Sequence, residues 1–134
     1  MIVIDASALA KYILKETNWS EVKSFLLLDL CSIDHIAKEV ANAIWKHTVL
    51  YRRFTKEEYL NAINVLKKLL NDVIVIESQM KYLDKAIDIA FKYKLTIYDS
   101  LYIAQALRYE ELLTSDEKQA EVARDLGVKV YYIK

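Results

Sequence analysis

The sequence predicts an α/β fold: a mostly parallel central sheet of about five strands, flanked by helices on both faces. Three observations predict it. Short apolar or β-branched runs alternate along the chain with longer segments of helical periodicity, the pattern of strand–crossover–strand units. The chain has 134 residues, no proline and one glycine, with no low-complexity stretch, repeat or linker, so residues 1–134 read as one domain. Its residues are 54% hydrophobic and 28% charged, enough apolar surface to build a core without disulfides or metal staples.

Ile2–Ile4 form the first buried strand, followed by a helix over about Ser7–Lys15. Asn18-Trp-Ser-Glu21 has the capping-box pattern and opens a second helix, with Trp19, Val22, Phe25 and Leu26 at helical spacing. Leu30–Ile33 is a weak strand. A long helix over about Asp34–Tyr51 carries the stripe Ile36, Val40, Ala41, Ile44, Trp45. Thr55-Lys-Glu-Glu58 opens the next, with Tyr59, Ile63, Leu66 and Leu70. Val73–Ile76 is β-branched throughout and reads as a strand. Leu83, Ala86, Ile87, Ala90 and Phe91 mark a helix, and Thr96-Ile-Tyr-Asp99 starts another that ends near Arg108. Leu112–Thr114 is a strand and Asp116–Leu126 a helix, stopped by Gly127 in a left-handed conformation. Val128–Ile133 is the last strand.

Composition excludes several classes. No apolar run reaches the about 18 residues of a membrane span, and Asp5 with no basic flank argues against a signal peptide. The lone Cys31 allows no internal disulfide and fits a reducing, cytoplasmic setting as a small buried apolar side chain. Nineteen basic and nineteen acidic residues cancel, so any nucleic-acid attraction must come from a local patch or bound cations.

In open parallel sheets, ligands bind beyond the carboxyl ends of the strands, where strand order reverses. Asp5 and Asp116 follow such ends. Each has a competing reading as a helix cap, with Ser7, or Thr114 and Ser115, able to take the cap instead. Asp99 fits the capping box of Thr96, yet YDSLYIAQAL behind it is apolar on almost every side, which puts its helix inside the domain. Glu39 falls off the apolar stripe, beside Asn42 and Lys46, and reads by pattern as solvent-facing. Together the four describe acids around one crevice, with no His or Cys pattern for zinc. Carboxylate oxygens of this kind suit Mg²⁺ or Mn²⁺, which would offset the repulsion of crowded like charges.

The ordered set D-A-S (Asp5, Ser7), E-x-x-N (Glu39, Asn42), Y-D-S-L-Y-I-A (Asp99) and L-T-S-D (Asp116) resembles the PIN-domain family, most closely its small VapC-type toxins. The resemblance covers the whole chain and implies a Rossmann-like fold and a metal-dependent endoribonuclease. It implies Asp5, Glu39, Asp99 and Asp116 as catalytic and Mg²⁺- or Mn²⁺-binding residues, with Ser7, Asn42 and Ser115 as supporting polar groups. It further implies an RNA substrate, a VapB-type antitoxin partner and a homodimer. On this reading Asp5 and Asp99 hold one ion directly; Asp116 and Glu39 complete its shell through water or hold a second ion.

For RNA, Lys46, Arg52, Arg53 and Lys56 form the expected basic patch, with Lys11 and Lys15 nearby in sequence; a solvated helix face is the competing reading. Trp45, Tyr51 and Tyr59 could offer stacking to bases, though helical spacing favours core packing, and His35 and His47 read as surface or hinge residues. Four rivals stand beside a toxin nuclease: a PIN nuclease of RNA processing, a Mg²⁺-binding phosphoacceptor signalling domain, a PIN-like interaction module without catalysis, and a fold-class cousin whose acids serve only as helix caps.

Overall fold

Each of the five apolar runs folds as a strand: β1 (Ile2–Ile4), β2 (Leu30–Ile33), β3 (Ile74–Glu77), β4 (Glu111–Thr114) and β5 (Lys129–Tyr132). In this computed structural model, which describes residues 1–134, all neighbouring strands pair in parallel in the order β3-β2-β1-β4-β5. Central β1 is buried along its length, with Val3 opposite both Cys31 and Leu112. Cys31 is fully buried, as expected of a small apolar side chain.

Seven helices make the crossovers: α1 (Ala6–Ile13), α2 (Trp19–Phe25), α3 (Ile36–Trp45), α4 (Lys56–Asp72), α5 (Leu83–Tyr93), α6 (Ile97–Tyr109) and α7 (Glu117–Asp125). The chain runs outward from β1 to β2 and β3, then returns past β1 to β4 and β5. Right-handed crossovers therefore put α1–α4 on one face and α5–α7 on the other. The packing agrees: α1 lies against α2 and α3, and α3 against α4, while α6 lies against α5 and α7. Strand order reverses between β1 and β4, which opens a crevice beyond their carboxyl ends.

Helix α6 is buried at every residue from Ser100 to Ala106, because α5, α7 and the sheet enclose it. Its apolar circumference is the signal read from the sequence. Gly127 ends α7 at φ +85°, the left-handed stop expected of it.

Two local expectations need correction. Asn18 makes no capping hydrogen bond. It sits at φ 68°, and its amide donates to the Lys134 carbonyl at 3.0 Å, so the capping-box pattern there is coincidental. Thr55 and Glu58, by contrast, make both bonds of the box. The expected helix 34–51 is interrupted. Regular α3 ends at Trp45 and continues as a π-helical turn over Lys46–Leu50, with Arg52 at φ 53°. Within that turn Thr48 donates its hydroxyl back to the Ile44 carbonyl at 3.0 Å, a bond that competes with the regular ladder. A 3₁₀ turn at Gln79–Lys81, which periodicity did not disclose, links β3 to α5.

Candidate functional site

The site begins with two strand ends sewn together. Asp5 leaves β1 and Thr114 ends β4, and both are fully buried. The Asp5 carboxylate takes three donors: the Ala8 amide on Oδ1 at 3.0 Å, the Ser7 hydroxyl on Oδ1 at 2.7 Å, and the Thr114 hydroxyl on Oδ2. Ser7 Oγ in turn accepts the Ser115 amide at 2.8 Å, and Thr114 Oγ1 accepts the Asp116 amide at 3.0 Å. Asp5 thus caps α1 itself, rather than ceding the cap to Ser7. Burial nonetheless dominates its electrostatics. Desolvation, with a smaller push from Asp116, lifts its pKa from 3.8 to about 7 against the three hydrogen bonds.

Beyond this seam lies a pocket of 230 Å³ lined by Glu39, Asp99, Asp116, Ser7 and Gln119, with Ala6, Ala10 and Ala43. Three elements deliver its acids. Asp116 precedes α7 and caps it, its Oδ1 accepting the Gln119 amide at 2.9 Å, while its Oδ2 accepts no hydrogen bond. Asp99 sits in the first turn of α6. Thr96 caps that helix through the Asp99 amide, but the reciprocal bond of a capping box is absent, and Asp99 Oδ1 instead accepts Gln119 Nε2 at 3.1 Å. Glu39 comes from α3. It is half-buried rather than solvent-facing, because that polar edge of α3 overhangs the strand ends. Its Oε1 accepts the Tyr102 hydroxyl at 2.9 Å and lies 3.3 Å from His35 Nε2, leaving Oε2 without a partner.

Capping and pocket-facing therefore coexist in Asp116: one oxygen finishes a helix and the other stays free. Burial first, then the neighbouring Asp116 charge, raises the Asp99 pKa. Burial likewise raises Glu39, with Asp99 adding to it and Tyr102 and His35 opposing. Crowding of these carboxylates raises their proton affinity and favours any cation that enters.

Divalent-ion chemistry fits the donors available. They are carboxylate and hydroxyl oxygens, with no thiol or paired imidazoles. The Ser115 hydroxyl and the Gln119 amide oxygen are buried without hydrogen-bond partners beside the pocket, where water could use them. As placed, no three His, Cys, Asp or Glu side chains converge closely enough to enclose an ion unaided. An ion here would take one or two carboxylates and fill its shell with water, the usual habit of Mg²⁺.

The pocket opens into a larger groove of 570 Å³ that shares Ser7, Ala10 and Ala43 with it. Lys11, Lys46, His47, Tyr51 and Arg53 line this groove, with Glu16 its one acid. Of the expected basic patch, Lys46, Arg53 and Lys11 come together here. Arg52 and Lys56 are exposed but outside the lining, and Lys15 faces a separate cavity beside Phe54 and Ala62. Asn42 is exposed and lines neither the pocket nor the groove. Ser115 lines the groove. His47, read as a surface or hinge residue, lies in the π-helical turn and packs against Tyr51 and Phe54 at the groove wall.

Sequence reasoning passed over Tyr102 and Gln119, and weighed Thr114 only as a cap. The signal was present: Tyr102 and Gln119 each lie three residues after an acid already singled out, one helical turn along the same face.

Comparisons with known proteins agree with this architecture. The family model described as PIN domain matches residues 2–125. The chain is 32% identical to Ribonuclease VapC3 of Pyrobaculum aerophilum over 125 residues, 90% of this chain and 92% of that protein. The crystal structure of PAE2754 from the same organism superposes with a TM-score of 0.69 at 24% identity, covering 96% of this chain and 89% of the other, a likeness of fold. A strand-order switch lined with acids, a family match across nearly the whole chain and a close-length relative meet in one conclusion: this chain belongs to the PIN-domain family.

Proposed function

We propose that the protein is a Mg²⁺- or Mn²⁺-dependent endoribonuclease, the toxin of a VapBC-type toxin–antitoxin pair acting in the cytoplasm. The observation that carries the proposal is the juxtaposition at the strand-order switch: an acidic pocket that runs into a basic groove. The name of the 32%-identical relative supports ribonuclease over the other rivals.

Of the four acids, Glu39, Asp99 and Asp116 line the pocket, and one or two of them would hold the metal directly, with Asp5 supporting the site from behind the Ser7–Thr114 seam. A divalent cation bound there supplies Lewis-acid charge at the phosphate and makes a neighbouring water more acidic. The chain's own residues do the rest. Lys11, Lys46 and Arg53 bind phosphates flanking the scissile one, as point charges and, for Arg53, as a fork. Gln119 holds Asp99 and Asp116 in register, and Tyr102 orients Glu39. A pocket carboxylate not engaged by the ion is placed to accept a proton from the attacking water.

Antitoxin pairing and a homodimer follow from the same reading. The first two helices are the place for an antitoxin segment by family analogy; there Phe25 and Trp19 pack on Tyr131 and Tyr12 at ring-centroid distances of 5.1 and 6.0 Å. Beside them a 530 Å³ cavity lined by Tyr12, Leu26, Leu27 and Val73 is the better candidate.

The test is direct. Asp5→Asn and Asp99→Asn keep a hydrogen-bond acceptor in place, so both should fold, while Mg²⁺-dependent cleavage of single-stranded RNA falls by at least about 100-fold. Cleavage at the parent rate by either variant, or calorimetry without divalent-ion uptake by the parent, would sink the proposal.

A further inference from the structure

Outside the acids and the groove, one exposed aromatic adjoins two of the pocket acids in the chain and through its stacking partner. Tyr98 immediately precedes Asp99 and is 58% exposed, whereas α6 is buried from Ser100 to Ala106. One face of its ring lies against the His35 imidazole, with centroids 4.9 Å apart and planes 17° from parallel. His35 in turn reaches Glu39 Oε1 at 3.3 Å. The ring is therefore backed by a second planar group, itself tied to a pocket carboxylate. The opposite face of a tyrosine so exposed and so backed is open to solvent. Leaving an aromatic face in water stabilises nothing in the folded chain, and a rigid, preorganised π-surface is what an unstacked nucleobase binds.

We propose that Tyr98, backed by His35, is the stacking platform for the nucleobase next to the phosphate held at the Glu39–Asp99–Asp116 pocket. The inference rests on the nuclease reading and deepens it. The basic groove takes flanking phosphates on the Ser7–Ala43 side of the pocket, and Tyr98 takes a base at the Glu39–Asp99 side. Tyr98 is thus a positioning residue, selective for single-stranded RNA whose base at that position is free to splay out. Stacking tolerates any base but favours purines by area.

Two measurements on the full chain test it. The first compares cleavage of a short single-stranded RNA with that of the same RNA made abasic, in turn, at each nucleotide flanking the cut. Tyr98→Ala and Tyr98→Leu should lower kcat/KM on the intact RNA about tenfold, chiefly through KM. They should lose nothing further on the abasic RNA that matters to the parent, and Tyr98→Trp should restore the parent value. The second places 2-aminopurine at that nucleotide in metal-free buffer. Parent protein should quench its fluorescence on binding, and Tyr98→Ala should not. A parent that cleaves RNA while Tyr98→Ala matches it on intact and abasic substrates alike, with equal quenching, removes the platform and leaves the nuclease standing. A parent that neither binds nor cleaves RNA removes both.

Discussion

Asp5 places a carboxylate in a fully enclosed position and surrounds it with three donors, and burial still prevails. Its folded pKa of about 7 lies above the ordinary 3.8, so between those values the folded chain holds a proton that the unfolded chain has released. Stability in metal-free buffer should therefore fall as pH rises from about 4 to about 7, and stay low above that. Asp5→Asn keeps the acceptor for the Ala8 amide but carries no charge. It should melt several degrees above the parent at pH 8 in EDTA and level with it near pH 4, as read by thermal denaturation. A parent whose melting temperature does not change across that range, relative to the variant, would mean that Asp5 is not desolvated as described. Glu77 is the opposite case. Burial pushes it upward, but donors on Tyr82, Gln105, Lys81 and Tyr109 outweigh that and hold it at about 2. Its contribution is complete above about 4.5 and is lost as pH drops toward 2. Glu77→Gln should cost about 1–3 kcal/mol at pH 7 by urea denaturation, and the gap to the parent should close near pH 2.

Among the elements, two identical-looking caps behave differently. Thr55 and Glu58 close a reciprocal box on α4, whereas Asn18 is a left-handed residue that caps nothing. Thr55→Ala should cost about 1 kcal/mol, while Asn18→Gly should be neutral or slightly stabilising, because glycine accepts a positive φ without strain. Chemical-denaturation midpoints of the two variants decide this; equal losses would contradict it. A cap motif describes what side chains can reach if the helix begins there, and the entering chain decides whether it does. Around Asn18 the path from α1, already turned at Lys15 with φ 52°, sets that entry. The same logic explains the break after Trp45. The apolar stripe ends at Trp45, and beyond it the Thr48 back-bond and the turn toward Phe54 divert the chain and bring Lys46, His47 and Arg53 to one groove wall.

For the molecule as a whole, charge matters through its arrangement. A chain with formal net charge +0 attracts a polyanion only if its cations cluster, and here three cations face one groove beside the acids. Replacing both Lys46 and Arg53 by alanine should weaken single-stranded RNA binding. It should also flatten the log–log salt dependence by about 0.7 per lost phosphate contact, about 1.4 in total. Lys56→Ala, outside the groove, should leave the slope unchanged; equal slopes in all three proteins would remove the groove as a phosphate track.

Much of this was legible in the chain. Strand and helix order, the parallel sheet, the buried α6 and the glycine stop follow from local periodicity and backbone preference, which act between near neighbours and are written in sequence. Asp5 and Asp116 could be assigned to strand ends, and hence to one end of the sheet, for the same reason. What the chain alone left open was which way a side chain faces once helices from opposite sides meet over the strand ends. Glu39 reads as solvent-facing on its own helix and becomes part of a pocket wall only because α6 lies across from it and offers Tyr102. Gln119 bridges Asp99 and Asp116 across 20 and 3 residues respectively, which no single periodicity encodes. Local propensity determined the elements; desolvation and partnership between distant residues, which exist only in the folded chain, decided what the acids and the basic groove became.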